Sequence, residues 1–205
     1  MLWRESPSTA AFDIVYDGEE RSMTMEALGP TWTAEEMRDW VARGLAGTSW
    51  VQVAALRRDE FGPEALAELA RGRRVLLDGQ GLVRAPTTGP LVTDADFDAA
   101  ALKHVSVLKL SEFEAELLGG LDEPSLRALD VAEIVVTLGS QGALVLDRRG
   151  LEHVPARPVD ADVDPTGAGD AFGAAYLVAR AEGSGPVGAA RRASSLAADV
   201  ISGRV

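Results

Sequence analysis

An α/β fold with a mostly parallel sheet and helices on its faces is predicted by the order of elements along the 205-residue chain. Four short runs rich in leucine and β-branched residues have the composition of strands: SWVQVAAL, RRVLLDG, VSVLKL and EIVVTLG. Helix candidates such as GPEALAELARG and EPSLRALD lie between them. Strands that alternate with helices form parallel sheets, because each helix carries the chain back over one face of the sheet.

Two hairpins and a capped helix account for other parts of the chain. AFDIVYDGEERSMTMEA alternates apolar and polar residues around a glycine-containing turn and predicts an antiparallel hairpin. Thr33 stands three residues before Glu36, which is the spacing of a capping box at a helix start. GALVLDRRGLEHVPA predicts a second hairpin, and two alanine-rich helices close the chain. No repeat or long linker divides the sequence, so we expect residues 1–205 to form one domain.

The composition limits the classes of function. The formal net charge is −12 at pH 7, whereas nucleic-acid backbones are bound by clustered lysine and arginine, so we expect no nucleic-acid partner. No uninterrupted apolar run reaches the roughly 20 residues of a membrane-spanning helix, and the N-terminus lacks the pattern of a signal peptide. The chain contains no cysteine, which fits a reducing compartment. These observations predict a cytoplasmic protein without a membrane partner.

Three loops are candidate functional sites, because ligands of an open α/β sheet bind beyond the carboxyl ends of its strands. LGSQGA offers Gly139 and Gly142, which a tight turn before a strand would also contain. LKLSEFEAE places Ser111 and glutamates at a helix start, where serine caps well and acidic residues complement the helix dipole. Taken alone, both of these loops are explained by structure.

The third loop, DPTGAGDAF at residues 164–172, is not explained by capping alone. Its two glycines each cost about 1 kcal/mol relative to alanine within a helix, and a structural cap does not need both. A glycine-rich turn at a helix start presents free backbone N–H groups and the positive end of the helix dipole, which favour a phosphate. Asp170 would stand beside that phosphate and repel it. Such a conflict between local rules is typical of a functional site.

DPTGAGDAF closely resembles the C-terminal signature of the ribokinase-like (PfkB) family of carbohydrate kinases, which includes sugar, nucleoside and inositol kinases. VVTLGSQGA is similar to the nucleotide loop of the same family, and LKLSEFEAE resembles its Asn-x-x-Glu element. The motifs follow the family's order, and the resemblance extends from FDIVYDGEER onward. It implies a ribokinase-like three-layer α/β/α fold and an ATP-dependent enzyme that phosphorylates a hydroxyl of a small carbohydrate or polyol.

The resemblance also implies a catalytic centre at the start of the helix. The backbone N–H groups of Gly167, Ala168 and Gly169 would form an anion hole for the phosphate, aided by the helix dipole. Asp170 would be the base that accepts the proton of the acceptor hydroxyl. This role explains an acidic residue beside a phosphate site, because the attacking alcohol needs the carboxylate.

Cofactor roles follow from the same resemblance. The residues expected to line the nucleotide are Thr137, Gly139, Ser140 and Gly142. Ser111 would contact phosphate or metal-bound water from the position where relatives usually carry asparagine. Glu114 would act on Mg²⁺ through water, because Mg²⁺ sheds its hydration reluctantly. Asp164 and Thr166 would help to hold a monovalent cation such as K⁺ near the anion hole.

LLDGQGLVR, residues 76–84, stands where many relatives carry an Asp-x-Asn-x-Arg element whose arginine reaches toward the transferred phosphate. Here Arg84 lies six positions after Asp78 rather than four. The alternative is that Asp78 and Gln80 only shape a loop, while Arg84 makes a surface ion pair. Together with Ser111, this segment is more similar to the inositol-kinase branch than to ribokinase proper.

Relatives begin with a strand and a Gly-Gly loop that bind the acceptor, and nothing before FDIVYDGEER can supply them. We therefore expect the N-terminal strands and most of the lid to be missing, with residues 11–26 as a remnant of the lid hairpin, either because the start of the sequence has been assigned too late or because this is a short form of the enzyme. A parallel sheet without its early strands would expose an edge, so we expect the chain either to be poorly soluble or to form homo-oligomers through that edge. A monomer at high concentration in sedimentation would contradict this expectation.

Two alternative functions belong to other classes. A non-catalytic nucleotide-binding or regulatory relative would explain the missing acceptor lobe, although such a protein gains nothing from the Asp170 carboxylate. A Rossmann-type oxidoreductase needs G-x-G-x-x-G after an early strand, whereas GAGDAFG has different spacing and lies near the end of the chain. No GxxxxGK[ST] occurs, which excludes a standard P-loop kinase.

Overall fold

A computed structural model of the protein describes residue 6 and residues 8–17, 20–159 and 166–204. The strands are β1 (Ala11–Asp17), β2 (Glu20–Ala27), β3 (Trp50–Val53), β4 (Arg74–Asp78), β5 (Gly89–Pro90), β6 (Val107–Ser111), β7 (Ile134–Thr137), β8 (Ala143–Asp147) and β9 (Gly150–Val154). The helices are α1 (Ala34–Gly44), α2 (Pro63–Ala70), α3 (Gln80–Val83), α4 (Glu112–Leu117), α5 (Glu123–Arg127), α6 (Ala168–Ala181) and α7 (Pro186–Ile201). Short 3-10 helices cover Ala99–His104 and Gly139–Gln141.

A six-stranded sheet in the order β3-β4-β6-β7-β8-β9 forms the centre of the fold. The first four of these strands are parallel, and β8 and β9 continue the sheet as an antiparallel hairpin. The predicted mostly parallel sheet is therefore confirmed, and so is the hairpin predicted over β8 and β9. A separate antiparallel sheet contains β1, β2 and β5, which confirms the first predicted hairpin.

Helices cover both faces of the central sheet, because successive strand residues point to opposite sides. Leu77, Leu108 and Val136 belong to a core that also includes residues from α1, α2, α4 and α5. Their strand neighbours Leu76, Val107 and Val135 belong to a second core, with residues from α6 and α7. The result is three layers. No helix among the described residues is long and apolar enough to cross a membrane.

The predicted capping box fixes the start of α1. The Thr33 hydroxyl oxygen accepts a hydrogen bond from the Glu36 backbone N–H at 3.2 Å, and the Glu36 carboxylate accepts one from the Thr33 N–H at 3.0 Å. These two bonds satisfy backbone donors that the helix itself leaves unpaired.

A buried polar network ties α6 to the amino end of β7. The Tyr176 hydroxyl donates to Glu133 Oε1 at 2.6 Å, and Arg180 donates to both Glu133 oxygens at 2.9 Å. The Arg180 and Glu133 side chains are only 14% and 10% exposed. Burial, and then the Glu133 carboxylate, raise the pKa of Tyr176, so its hydroxyl remains a donor. Arg180 also lies over the Trp50 ring, 5.5 Å from its centroid.

Replacement of Glu133 by alanine should lower the free energy of unfolding by about 3–5 kcal/mol, because Arg180 and Tyr176 would lose their buried partner. The matched control is Glu182→Ala, which breaks an exposed ion pair with Arg192 at 2.6 Å and should cost at most about 1 kcal/mol. Urea denaturation of the three proteins measures both effects. Equal losses in the two variants would contradict a central role for the network.

Candidate active site

The predicted loops meet at the carboxyl edge of the central sheet. The adjacent strands β4, β6 and β7 end at Asp78, Ser111 and Thr137. Ser111 and Thr137 are paired in register, and the Thr137 hydroxyl donates to the Leu110 carbonyl at 3.2 Å. The carboxyl edge is where open α/β sheets bind ligands.

The first turn of α6 has the geometry of an anion site. Gly167 is its N-cap, with a φ of +82° in the left-handed region that favours glycine, and no side chain caps the turn. The first intrahelical bond of the turn is donated by Ala171 to the Gly167 carbonyl at 2.9 Å. The N–H groups before it have no partner within the helix, and the positive end of the dipole lies there. Asp170 is exposed on this turn.

Gly169 is a glycine that packing does not require. A Cβ at this position would have Lys109 Nζ as its nearest neighbour, at 3.4 Å, which is an ordinary contact. Gly142 differs, because a Cβ there would lie 2.1 Å from the Val154 carbonyl oxygen. Close approach of backbone thus explains Gly142, whereas the missing side chain of Gly169 leaves the Lys109 ammonium open toward the first turn of α6.

Lys109 is a residue of the site that the sequence analysis missed. Its Nζ pairs with Asp78 Oδ2 at 2.6 Å, and the two side chains are only 8% and 4% exposed. A cation near the positive end of a helix is electrostatically unfavourable, and the Asp78 carboxylate offsets the Lys109 charge. An anionic ligand at this turn would be attracted by both the ammonium and the helix dipole. The available signal was a lysine in the otherwise apolar strand VLKLS.

Ser111 and Glu114 form a capping box at the start of α4. The Ser111 hydroxyl oxygen accepts from the Glu114 N–H at 3.3 Å, and Glu114 Oε2 accepts from the Ser111 N–H at 2.8 Å. Burial is the main cause that raises the pKa of Glu114, and the Asp78 carboxylate adds to it. Glu114 Oε2 lies close to the backbone that follows Asp78, because a Cβ on Gly79 would be only 2.9 Å from this oxygen.

The residues present fit a Mg²⁺ ion that arrives with a phosphate ligand. Among the described residues, no group of three or more His, Cys, Asp or Glu side chains could hold a metal by itself. Mg²⁺ in kinases is usually held by one or two carboxylates together with water and substrate phosphates. The partly buried Glu114 carboxylate, with the Asp78 carboxylate close enough to influence its pKa, is a ligand of the type that such an ion uses.

One cavity of about 620 Å³ joins two of the predicted motifs. Thr137, Gly139, Ser140 and Gly142, the four residues predicted to line a nucleotide, all line it. The first turn of α6 contributes Ala168 and Gly169. The other walls are lined by Ala156, Arg157, Val159, Phe172, Ser194, Ala197, Ala198 and Ile201. The volume lies in the range of small-molecule sites, about 300–1,000 Å³.

The other predicted residues lie outside this lining. Ser111 and Glu114 are at the carboxyl edge, and Asp170 and Thr166 are exposed near the start of α6. Arg84 follows α3 and forms a backbone bridge with Thr93. The structure therefore does not bring Arg84 to the cavity, and its predicted contact with phosphate stays a prediction. Asp164 falls outside the described residues.

Comparisons with known proteins agree with these motifs. The family model described as "pfkB family carbohydrate kinase" matches residues 18–204. Fructokinases from Salmonella thompson and Salmonella typhimurium are 37% identical to this chain over 92 residues, which is 42% of this chain and 41% and 30% of the respective relatives. The match thus spans less than half the length of these curated relatives.

Solved structures confirm the ribokinase-like fold. A pyrophosphate-dependent kinase of the ribokinase family, complexed with a pyrophosphate analog and myo-inositol, has a TM-score of 0.80 at 23% identity, covering 98% of this chain and 72% of that one. Ribokinase from Thermotoga maritima has a TM-score of 0.70 at 22% identity, covering 94% and 63%. Arabidopsis thaliana ribokinase complexed with ribose and ATP has a TM-score of 0.66 at 21% identity, covering 95% and 63%.

Replacement of Gly169 by alanine should raise the free energy of unfolding by about 0.5–1 kcal/mol, because alanine fits the space and favours the helix. The same change should weaken the binding of Mg²⁺-ATP, because the methyl group would cover the Lys109 ammonium beside the anion site. Denaturation and calorimetry measure the two effects.

The matched control is Gly188→Ala in the first turn of α7, where a Cβ would meet nothing within 4 Å. This variant should gain similar stability with unchanged ATP affinity. If Gly169→Ala bound ATP as tightly as the wild type, the glycine would have no role in anion binding.

Proposed function

Because this chain belongs to the pfkB family of carbohydrate kinases, we propose that it transfers the γ-phosphate of ATP to a hydroxyl group of a small carbohydrate or polyol. One observation carries the proposal. The loop that contains Gly139 and Gly142 and the first turn of α6 line the same cavity, and Asp170 stands on that turn. A donor in the cavity could therefore present its phosphates to a catalytic acid–base residue.

On the donor side, the chain supplies positioning and positive potential. Enzymes that transfer phosphoryl groups act mainly by orienting the reactants and stabilising charge on the moving group. The free N–H groups of Gly167, Ala168 and Gly169 would bind the oxygens of the transferred phosphate, at the positive end of the helix dipole. The Lys109 ammonium lies beneath the same turn, where its pair with Asp78 offsets part of its charge.

On the acceptor side, Asp170 would hold the attacking alcohol and take its proton. The hydroxyl oxygen forms a bond to the γ-phosphorus while the bond from that phosphorus to the β–γ bridging oxygen breaks. The hydroxyl proton goes to the Asp170 carboxylate, and ADP leaves. A carboxylate exposed on the first turn is free to meet an acceptor that enters from solvent.

Two cations, Mg²⁺ and a monovalent ion, would bind near the phosphates of the donor. Mg²⁺, when bound, neutralises charge on the donor phosphates. Glu114 would hold it through water, and the Ser111 hydroxyl lies beside that carboxylate. A monovalent cation such as K⁺, held by Thr166 and Asp164, is proposed from the family resemblance.

The apolar walls of the cavity support ATP as the donor. Phe172, Ala197, Ala198 and Ile201 offer a surface that a nucleoside could cover. Inorganic pyrophosphate, the donor of one solved relative, has no apolar group for such walls. For the acceptor, we propose a sugar or a polyol, the classes named for the curated fructokinases and for the solved kinase with myo-inositol.

The remaining partner proposals rest on the sequence and the sheet. Within the described residues, β3 pairs with a neighbour on one side only, which leaves the edge through which we propose homo-oligomers. We also propose a cytoplasmic kinase with a small-molecule substrate and no nucleic-acid or membrane partner.

The proposal is tested by comparing ADP release in the wild type and in the Asp170→Asn variant. The release is measured with a panel of acceptor sugars and polyols that includes myo-inositol. The wild type should release ADP with at least one acceptor. The variant should be slower by about 10²–10⁴-fold, because the amide cannot take the proton. Its affinity for Mg²⁺-ATP, measured by calorimetry, should change little.

Glu182→Gln, at the other end of α6, is the matched control and should keep full turnover. Unchanged turnover in Asp170→Asn would remove the residue from its role as the base. ATP binding by the wild type without ADP release with any acceptor would instead favour a non-catalytic nucleotide-binding relative.

A further inference from the structure

The walls of the cavity differ in chemistry. Residues 139–142 and the first turn of α6 present backbone and hydroxyl groups. Facing walls are formed by the segment 155–159 after β9, which we call the strap, and by the last two turns of α7. These walls are apolar except at Arg157 on the strap and Ser194 on α7.

The strap is fixed on both sides. Its first residues pass so close to Gly142 that a Cβ there would lie 2.6 Å from the Ala156 nitrogen. On the other side, Arg157 joins the strap to α7 through Asp199, with Nη2 to Oδ1 at 2.5 Å and Nη1 to Oδ2 at 3.2 Å. Arg157 Nη1 also donates to the Ser195 hydroxyl at 3.1 Å. These contacts set the separation of the strap and α7.

Arg157 is poorly suited to bind phosphate. Its Nη1 and Nη2 donate to Asp199 and Ser195, and the Asp199 carboxylate offsets its charge. Hydrogen bonds to these nitrogens lie in the plane of the guanidinium and leave its faces without hydrogen bonds, and this side chain lines the cavity and is 38% exposed. A planar guanidinium face favours a flat π-system, and a bidentate pair holds it in place before the ligand arrives.

We propose that Arg157, held by Asp199, is a specificity-determining residue for the donor, and that it contacts the base of a nucleoside triphosphate between the strap and α7. This inference rests on the proposed function, and it identifies the nucleoside base as the part of the donor that the cavity recognises. Apolar contacts from Val159, Ala197 and Ile201 complete the base site, while the phosphates extend to the first turn of α6. An inorganic donor would leave these walls uncovered.

Calorimetry with two probes, Mg²⁺-ATP and Mg²⁺-tripolyphosphate, tests the inference without any need for turnover. Arg157→Lys keeps the charge and removes the planar face, so it should weaken ATP binding by about 5–30-fold. Binding of tripolyphosphate should change by less than about twofold, because its oxygens lie at the other walls. Arg191→Met, on the exposed side of α7 and paired with Glu152 at 3.5 Å, is the matched control and should change neither affinity.

A second variant keeps the test valid if Arg157→Lys loses its fold. Ala197→Leu fills the base site from α7 without touching the ion pair, and it should also weaken ATP and spare tripolyphosphate. Equal weakening of both probes by Arg157→Lys would make Arg157 a phosphate contact and overturn the inference. Wild-type protein that binds tripolyphosphate as tightly as ATP would overturn it too, while leaving a phosphotransferase possible. No affinity for either probe would overturn the proposed function together with the inference.

Discussion

The packing of α6 on the central sheet is the constraint on which the candidate site depends. Near its carboxyl end, α6 is held by Arg180 and Tyr176 on Glu133, which lies at the amino end of β7. Near its amino end, Gly169 lies against Lys109 of β6. These contacts place the first turn of the helix at the carboxyl edge of the sheet, beside the loops that follow the strands. The position of the proposed anion site therefore depends on how this one helix packs on the sheet.

The surface of the sheet that packs against α6 changes from apolar to polar along the strands. Strand residues that face α6 are apolar at the centre, as Leu76 and Val107 are, but polar toward the carboxyl edge, where Asp78 and Lys109 pair. A buried pair of this kind contributes little net stability. Asp78 offsets the Lys109 charge, which would otherwise be unfavourable near the positive end of the helix dipole, and an anion bound at the proposed site would benefit from both positive groups.

Much of this architecture could be predicted from the sequence, because its signals are local. The alternation of β-branched runs with helical patterns predicted the parallel sheet, and the Thr33 capping spacing predicted the start of α1. The family resemblance predicted that Gly139 and Gly142 line a nucleotide, and one cavity joins these residues to the α6 turn. The pairs Asp78–Lys109, Glu133–Arg180 and Arg157–Asp199 could not be predicted, because their members lie 31, 47 and 42 positions apart and a charge does not indicate its partner. Arg84 was predicted from the family resemblance, although it lies six positions after Asp78 rather than four, and its contact with phosphate stays a prediction.

The close packing at Gly142 limits how this sequence can change. Its backbone lies so close to Val154 and Ala156 that a side chain could enter only after the β8–β9 hairpin or the strap had moved. A mutational route that adds a side chain at this position must therefore pass first through a change elsewhere in the chain. The order of substitutions, and not only their sum, would decide which variants remain folded along the way.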